Sequence, residues 1–194
     1  VQSAECRFVA YEGARQLIHH GDLLLYRGGR WPVDLAIRTA GRSPYVHAAM
    51  AAWEDGRVYC LEMVECRGGR RVLLAEKVLG RPGRWDVFRT NPDGWWPEFD
   101  AAAAVEAMTG FIGTRYGWIN LLRTGLLHLP LLRLLVRAET DDQARTTRPP
   151  YCSQAIAIAS RVGGLDPVPN LADRLTEPGD LARSLFFRYQ FTLL

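Results

Sequence analysis

Three residue types in this chain could together cleave a carbonyl bond: a cysteine as nucleophile, a histidine as base and a carboxylate to orient the histidine. Cys152 follows directly on Pro149-Pro150-Tyr151 and precedes the alanine- and isoleucine-rich run 155–160. That places it in the first turn of a predicted helix. Free backbone N–H groups and the helix dipole there stabilise a thiolate and can hold an oxyanion. Of the four histidines, His47 is the best placed to serve as its base. It sits between Val46 and Ala48 in a predicted strand, where an imidazole without a partner is costly to bury. Glu62 lies in the mostly apolar run Val58-Tyr59-Cys60-Leu61-Glu62-Met63-Val64 and needs a partner for the same reason. His19, His20 and His128 are read as structural.

Strand pairing can bring the last two together. The segments 45–53 and 57–64 are joined through Glu54-Asp55-Gly56, and Asp-Gly between apolar runs is a strong hairpin signal. With Asp55-Gly56 as a two-residue loop, Glu54 pairs with Arg57, Ala49 faces Glu62 and His47 faces Val64. His47 and Glu62 then share one face as diagonal neighbours. A four-residue loop keeps this parity, whereas a three-residue loop would put them on opposite faces. A buried His–Glu pair with no catalytic duty is the structural alternative.

The elements around this hairpin are expected as follows. Ser3 caps a helix running to about His19, 23–26 is a buried strand, and 33–39 is a short helix. Strands at 71–75 and 85–89 precede a helix at 98–113 whose alanine run favours it. A polar loop covers 139–148, and the stretch 139–150 is a candidate cover for Cys152. A helix at 180–184 and an aromatic strand at 185–193 close the chain. These elements make an α+β domain on an antiparallel sheet. With no repeat, linker or low-complexity run, residues 1–194 are taken as a single domain, with a leucine-rich helical insertion at about 117–137.

Composition bounds the function. A chain of 194 residues with 48% apolar and 23% charged side chains is an ordinary globular one. Its formal charge of +3 is too small and scattered for a dedicated nucleic-acid binder. Arg67, Arg70 and Arg71 form the only tight basic cluster, and Lys77 is the only lysine. The four cysteines contain no C-x-x-C pair and no zinc-finger spacing, so neither a metal site nor a disulfide framework is expected. Reduced thiols in a cytoplasmic setting are the expectation; an exported chain after signal cleavage is the alternative. Residues 119–136 are leucine-rich but interrupted by Arg123, His128, Pro130 and Arg133, so they do not read as a membrane span. They read as a core-capping helical hairpin, or alternatively as a lid or patch meeting a membrane surface or a partner.

The motif order adds a family resemblance. Gly21-Asp22-Leu-Leu-Leu-Tyr, Ser43-Pro-Tyr-Val-His47, Leu61-Glu62, Tyr151-Cys152-Ser153 and Glu177-Pro-Gly-Asp-Leu-Ala-Arg-Ser184 together resemble the circularly permuted branch of the NlpC-type papain-like superfamily. The similarity is greatest to the YiiX-like group, with lecithin retinol acyltransferases as distant relatives. It runs from about Gly21 to the C-terminus, apart from 116–148. The resemblance implies a curved antiparallel sheet or small open barrel packed against the helix that begins at Cys152. It also implies a Cys152–His47–Glu62 triad acting through a thioester on peptide, isopeptide or lipid acyl bonds, without a cofactor. Two departures bear on substrate choice: Gln154 stands where an acidic residue is expected, and Pro44-Tyr45-Val46 precedes the histidine in place of a serine. A non-enzymatic domain that uses the cleft or the leucine-rich segment to hold a partner or lipid is the alternative function.

Overall fold

A computed structural model describes residues 7–29, 34–35, 38–39, 41–117, 149–169 and 171–194. The elements are β1 (Phe8–Val9), α1 (Tyr11–Ala14) continued by a 3₁₀ turn (Arg15–Leu17), β2 (Leu23–Arg27), β3 (Tyr45–Glu54), β4 (Arg57–Val64), β5 (Gly68–Leu73), α2 (Leu74–Gly80), β6 (Trp85–Thr90), α3 (Ala101–Thr109), α4 (Cys152–Val162), a 3₁₀ turn (Asp173–Leu175), α5 (Pro178–Arg183) and β7 (Phe187–Leu193). The strands form one seven-stranded sheet in the order β1-β7-β6-β2-β3-β4-β5.

The central hairpin has the expected register, Glu54 opposite Arg57 and Ala49 opposite Glu62. Asp55 and Gly56 both take positive φ, 48° and 71°, as a two-residue turn of the twist-matching kind requires. The ladder stops at Ala49–Glu62, so the expected His47–Val64 pair does not form. From there β4 continues to Val64 paired with β5 alone.

Both faces of the sheet are covered. Leu23, Leu25, Ala48, Met50, Leu61 and Met63 point toward α3 and α4, where Val105, Met108, Ala155, Ile156 and Ala159 meet them. Leu24, Ala49, Ala51, Cys60, Trp85 and Val87 lie on the other face, under Leu74 and Val78 of α2 and beside Ala14 and Ile18. Small side chains set the spacing of the first layer. Ala48, Ala52, Ala155 and Ala159 are all fully buried, so α4 lies close against β3, and burial of the surrounding apolar groups drives that contact.

Several expectations are corrected. The sheet is mixed, because β1 pairs parallel with β7. The N-terminal segment is not one helix to His19. Phe8–Val9 forms an edge strand, since the tail strand offers it an unpaired ladder that outweighs local helix propensity. Ser3 lies outside the described residues. The strand expected at 71–75 begins earlier, at Gly68, and yields at Leu74 to α2, whose Leu-Ala-Glu-Lys-Val-Leu run favours helix. The helix expected at 98–113 is shorter, Ala101–Thr109. Its start is fixed by Asp100, whose Oδ1 accepts from the N–H groups of Ala102 at 2.8 Å and Ala103 at 3.1 Å. Of the helix expected at 33–39, Asp34, Leu35, Arg38 and Thr39 are described, and all four are helical. The leucine-rich segment 119–136, His128 and the loop 139–148 lie outside the described residues.

Candidate active site

Each of the three sequence-selected residues is delivered by a different element. Tyr151, in extended conformation with φ −94° and ψ 179°, ends the Pro-Pro approach, and its carbonyl accepts the first helical bond, from Ala155 N–H at 2.9 Å. Cys152 is therefore the first helical residue. The start of α4 is pinned from the side by the turn that ends at Thr176. The Tyr151 hydroxyl donates to the carbonyls of Arg174 (2.8 Å) and Thr176 (3.1 Å), and the Ser153 hydroxyl donates to Thr176 at 2.7 Å.

His47 is positioned by an irregularity in β3. Tyr26 of β2 faces His47 and Arg27 faces Tyr45, which leaves Val46 as an extra residue. Such a bulge re-aims side chains. It turns Tyr45 to the face covered by α3 and α4, where its hydroxyl donates to buried Asp86 at 2.6 Å. His47 stays on the Trp85 face, edge-on to that indole at 6.2 Å between ring centres.

His47 Nε2 lies 2.8 Å from Glu62 Oε2, the diagonal contact expected from the hairpin register. With Nε2 committed to Glu62, Nδ1 is the nitrogen left for Cys152, with whose side chain His47 is hydrogen-bonded. The backbone explains how a helix on one face meets a histidine on the other. Ala51 accepts from Gly21 and donates to Asp22, both at 2.8 Å, so its amide faces β2. Alternation turns the Ala48 amide the opposite way, toward the position β4 has vacated. There the Ala48 and Ser153 N–H groups donate to the Cys152 sulfur.

Electrostatics follow from these contacts. Burial would raise the Cys152 pKa, but the hydrogen bond and charge of His47 and the two backbone donors bring it below its ordinary value. Burial would lower that of His47, but Cys152 and Glu62 raise it to about 9. Glu62, despite its burial, is lowered to about 2 by His47 and Lys77. All three shifts favour a thiolate–imidazolium pair at neutral pH.

The structure adds residues that sequence reasoning did not place. Arg70 donates to Glu62 Oε1 from Nε at 2.8 Å and sits with Nη2 at 2.7 Å. Lys77 Nζ reaches Oε1 at 2.8 Å and Oε2 at 2.9 Å. The cross-strand pair Glu62–Arg70 could have been found from the β4–β5 register, but that strand was expected to begin too late. The Tyr116 hydroxyl hydrogen-bonds the Cys152 side chain, and burial together with the sulfur's charge pushes its pKa well up. Its loop is seated against the prolines before Cys152, through Gly117 N–H to the Pro150 carbonyl at 3.1 Å. A side chain at Gly117 would meet the Pro149 oxygen at 2.2 Å, so only glycine allows this approach. No sequence pattern links Tyr116 to Cys152.

Among the described residues, the other histidines and thiols stand apart. His20 Nδ1 accepts from Trp53 N–H at 3.1 Å, and the His19 backbone N–H donates to Asp22 at 2.7 Å. Cys60 is buried, and desolvation pushes its pKa well above the ordinary value. Cys66 is exposed in the β4–β5 turn.

No protein-family model matches the chain, and no curated protein matches it by sequence. Among solved structures it is similar to the crystal structure of the metalloprotein YiiX from Escherichia coli O157:H7, described as DUF1105. The TM-score is 0.61 at 15% identity, over 90% of this chain and 97% of that one. The chain has the YiiX fold, that of the group its motif order resembles.

Proposed function

We propose that this protein is a thiol hydrolase or acyl-transfer enzyme of papain-like fold, with Cys152 as nucleophile, His47 as acid and base, and Glu62 as the orienting carboxylate. One observation carries the reading: a cysteine at a helix start is hydrogen-bonded to a histidine whose other nitrogen is held by a buried carboxylate. In the reaction the Cys152 thiolate attacks the carbonyl carbon of a peptide, isopeptide or lipid acyl bond. A C–S bond forms and the carbonyl electrons move to oxygen. The Cys152 N–H and the Tyr116 hydroxyl, which hydrogen-bonds the Cys152 side chain, are assigned as the donors to that oxygen, Tyr116 filling the role for which the sequence names no second donor. Collapse expels the amine or alcohol, which takes the His47 proton, and leaves a thioester. Neutral His47 then removes a proton from water or a second acceptor, which attacks the thioester and restores the ion pair.

The YiiX structure is described as that of a metalloprotein. The donor set here does not fit a metal. Both Glu62 oxygens are held by His47, Arg70 and Lys77 at 2.7–2.9 Å, and Cys152 and His47 engage each other. Among the described residues no cluster of three or more His, Cys, Asp or Glu could hold an ion. The mechanism accordingly uses this chain's own side-chain and backbone groups.

Reaction with p-nitrophenyl acetate followed by peptide mass spectrometry tests the reading. The expected result is a transient acetyl group on Cys152, absent in Cys152→Ala and decaying more slowly in His47→Ala. Acetylation spread over Cys66 and Cys152 at similar rates would contradict it.

A further inference from the structure

Lys77 is the only lysine among the chain's 24 lysine and arginine residues, and the fold brings it to the triad. It projects from α2, which Leu74 and Val78 seat on the sheet. Its ammonium lies 2.8 and 2.9 Å from the two Glu62 oxygens and 5.1 Å from the centre of the Trp85 ring. Arg70 holds Oε1. Oε2 is shared between Lys77 and His47 Nε2, which lies 2.8 Å away. In a chain that otherwise uses arginine, this site takes the compact ammonium. Its tetrahedral donors can bridge both oxygens while the charge rests on an indole face, whereas a guanidinium is a planar fork.

Two cations against one carboxylate do more than satisfy it. Glu62 stabilises a proton on His47; the cations beyond it oppose that proton. The balance matters to a residue that must hold an imidazolium at rest and surrender its proton to a leaving group.

We infer that Lys77 is a positioning residue of the His47–Glu62 pair: its ammonium holds both carboxylate oxygens from the indole side and restrains how strongly Glu62 retains the imidazolium proton. The inference rests on the thiol-hydrolase reading. The groups facing His47 are Glu62 from β4, Cys152 from α4 and Tyr26 across β2. Arg70 of β5 and Lys77 of α2 act through Glu62, and Tyr116 acts through the thiol.

The test is a ¹⁵N NMR titration of the histidine rings in the parent, Cys152→Ala, Lys77→Met, Lys77→Gln and Lys77→Arg, with thermal melting to verify folding. In the parent His47 is expected to titrate near 9. Loss of the ammonium in K77M or K77Q should raise that value by about 0.5–1 unit, while K77R, which keeps the charge, should stay within about 0.3 unit of the parent. A folded K77M or K77Q with an unchanged or lowered His47 value, beside a parent near 9, would overturn the role of Lys77 and leave the triad standing. A parent His47 near 6.5 that ignores Cys152→Ala would remove the triad reading, and this inference with it.

Discussion

Glu62 carries the largest electrostatic responsibility of any single residue in the site. Its side chain is fully buried yet ionised, because His47, Arg70 and Lys77 surround it. Replacing Glu62 with Gln keeps the shape and removes the charge. His47 should then titrate at least about one unit below its parent value of about 9. Stability should follow by linkage. The Glu62 pKa is depressed to about 2, so its contribution is present above the unfolded value of about 4.3 and is lost as pH falls through 2. The His47 pKa is raised, so its contribution is complete below about 6.5 and is lost as pH rises through 9. The stability advantage of the parent over Glu62→Gln should therefore be greatest between about pH 4.5 and 6.5. Thermal melts from pH 2 to 10 measure it, and equal pH dependence in the two proteins would contradict the assigned charges.

At the scale of elements, the site depends on where three connections end. The bulge at Val46 aims His47, the 3₁₀ turn to Thr176 pins α4, and the loop ending at Gly117 sets Tyr116 beside the thiol. Gly117→Ala should force that loop off Pro149. The expected outcome is a folded protein whose acetylation by p-nitrophenyl acetate is slowed about 10- to 100-fold, as for loss of one oxyanion donor or its placement. An unchanged rate would remove Tyr116 from the mechanism. Legibility divides along the same line. His47 and Glu62 were readable together because Asp55-Gly56 fixes the register, and register fixes the face of every side chain. Cys152 was readable because two prolines mark its helix start. Arg70, Lys77 and Tyr116 were not, since each reaches the site through the packing of a separate element. The expected N-terminal helix is interrupted at Phe8–Val9, and the sequence does not show this because the partner that makes those residues a strand lies at the far end of the chain.

Across the whole molecule, one buried carboxylate ties the sheet together. Asp86 of β6 receives Arg27 of β2 at 2.8 Å, Tyr45 of β3 at 2.6 Å and Thr192 of β7 at 2.7 Å, which fixes four neighbouring strands on the face opposite Glu62. The α+β class and most strands were legible in periodicity and turn residues. The parallel β1–β7 pair was not, because a two-residue strand has no period to read. Among the described residues no helix is long and apolar enough to cross a membrane. The whole arrangement comes together at one testable state, a thiolate on Cys152 held by an imidazolium on His47. The most direct measurement is the rate of iodoacetamide alkylation at each cysteine across pH, read by peptide mass spectrometry in the parent and in His47→Ala. Cys152 is expected to react at least about 10-fold faster than exposed Cys66 at pH 6 and to lose that advantage in the variant. Alkylation of Cys152 that is no faster than that of Cys66 at pH 6, or unaltered without His47, would contradict the account.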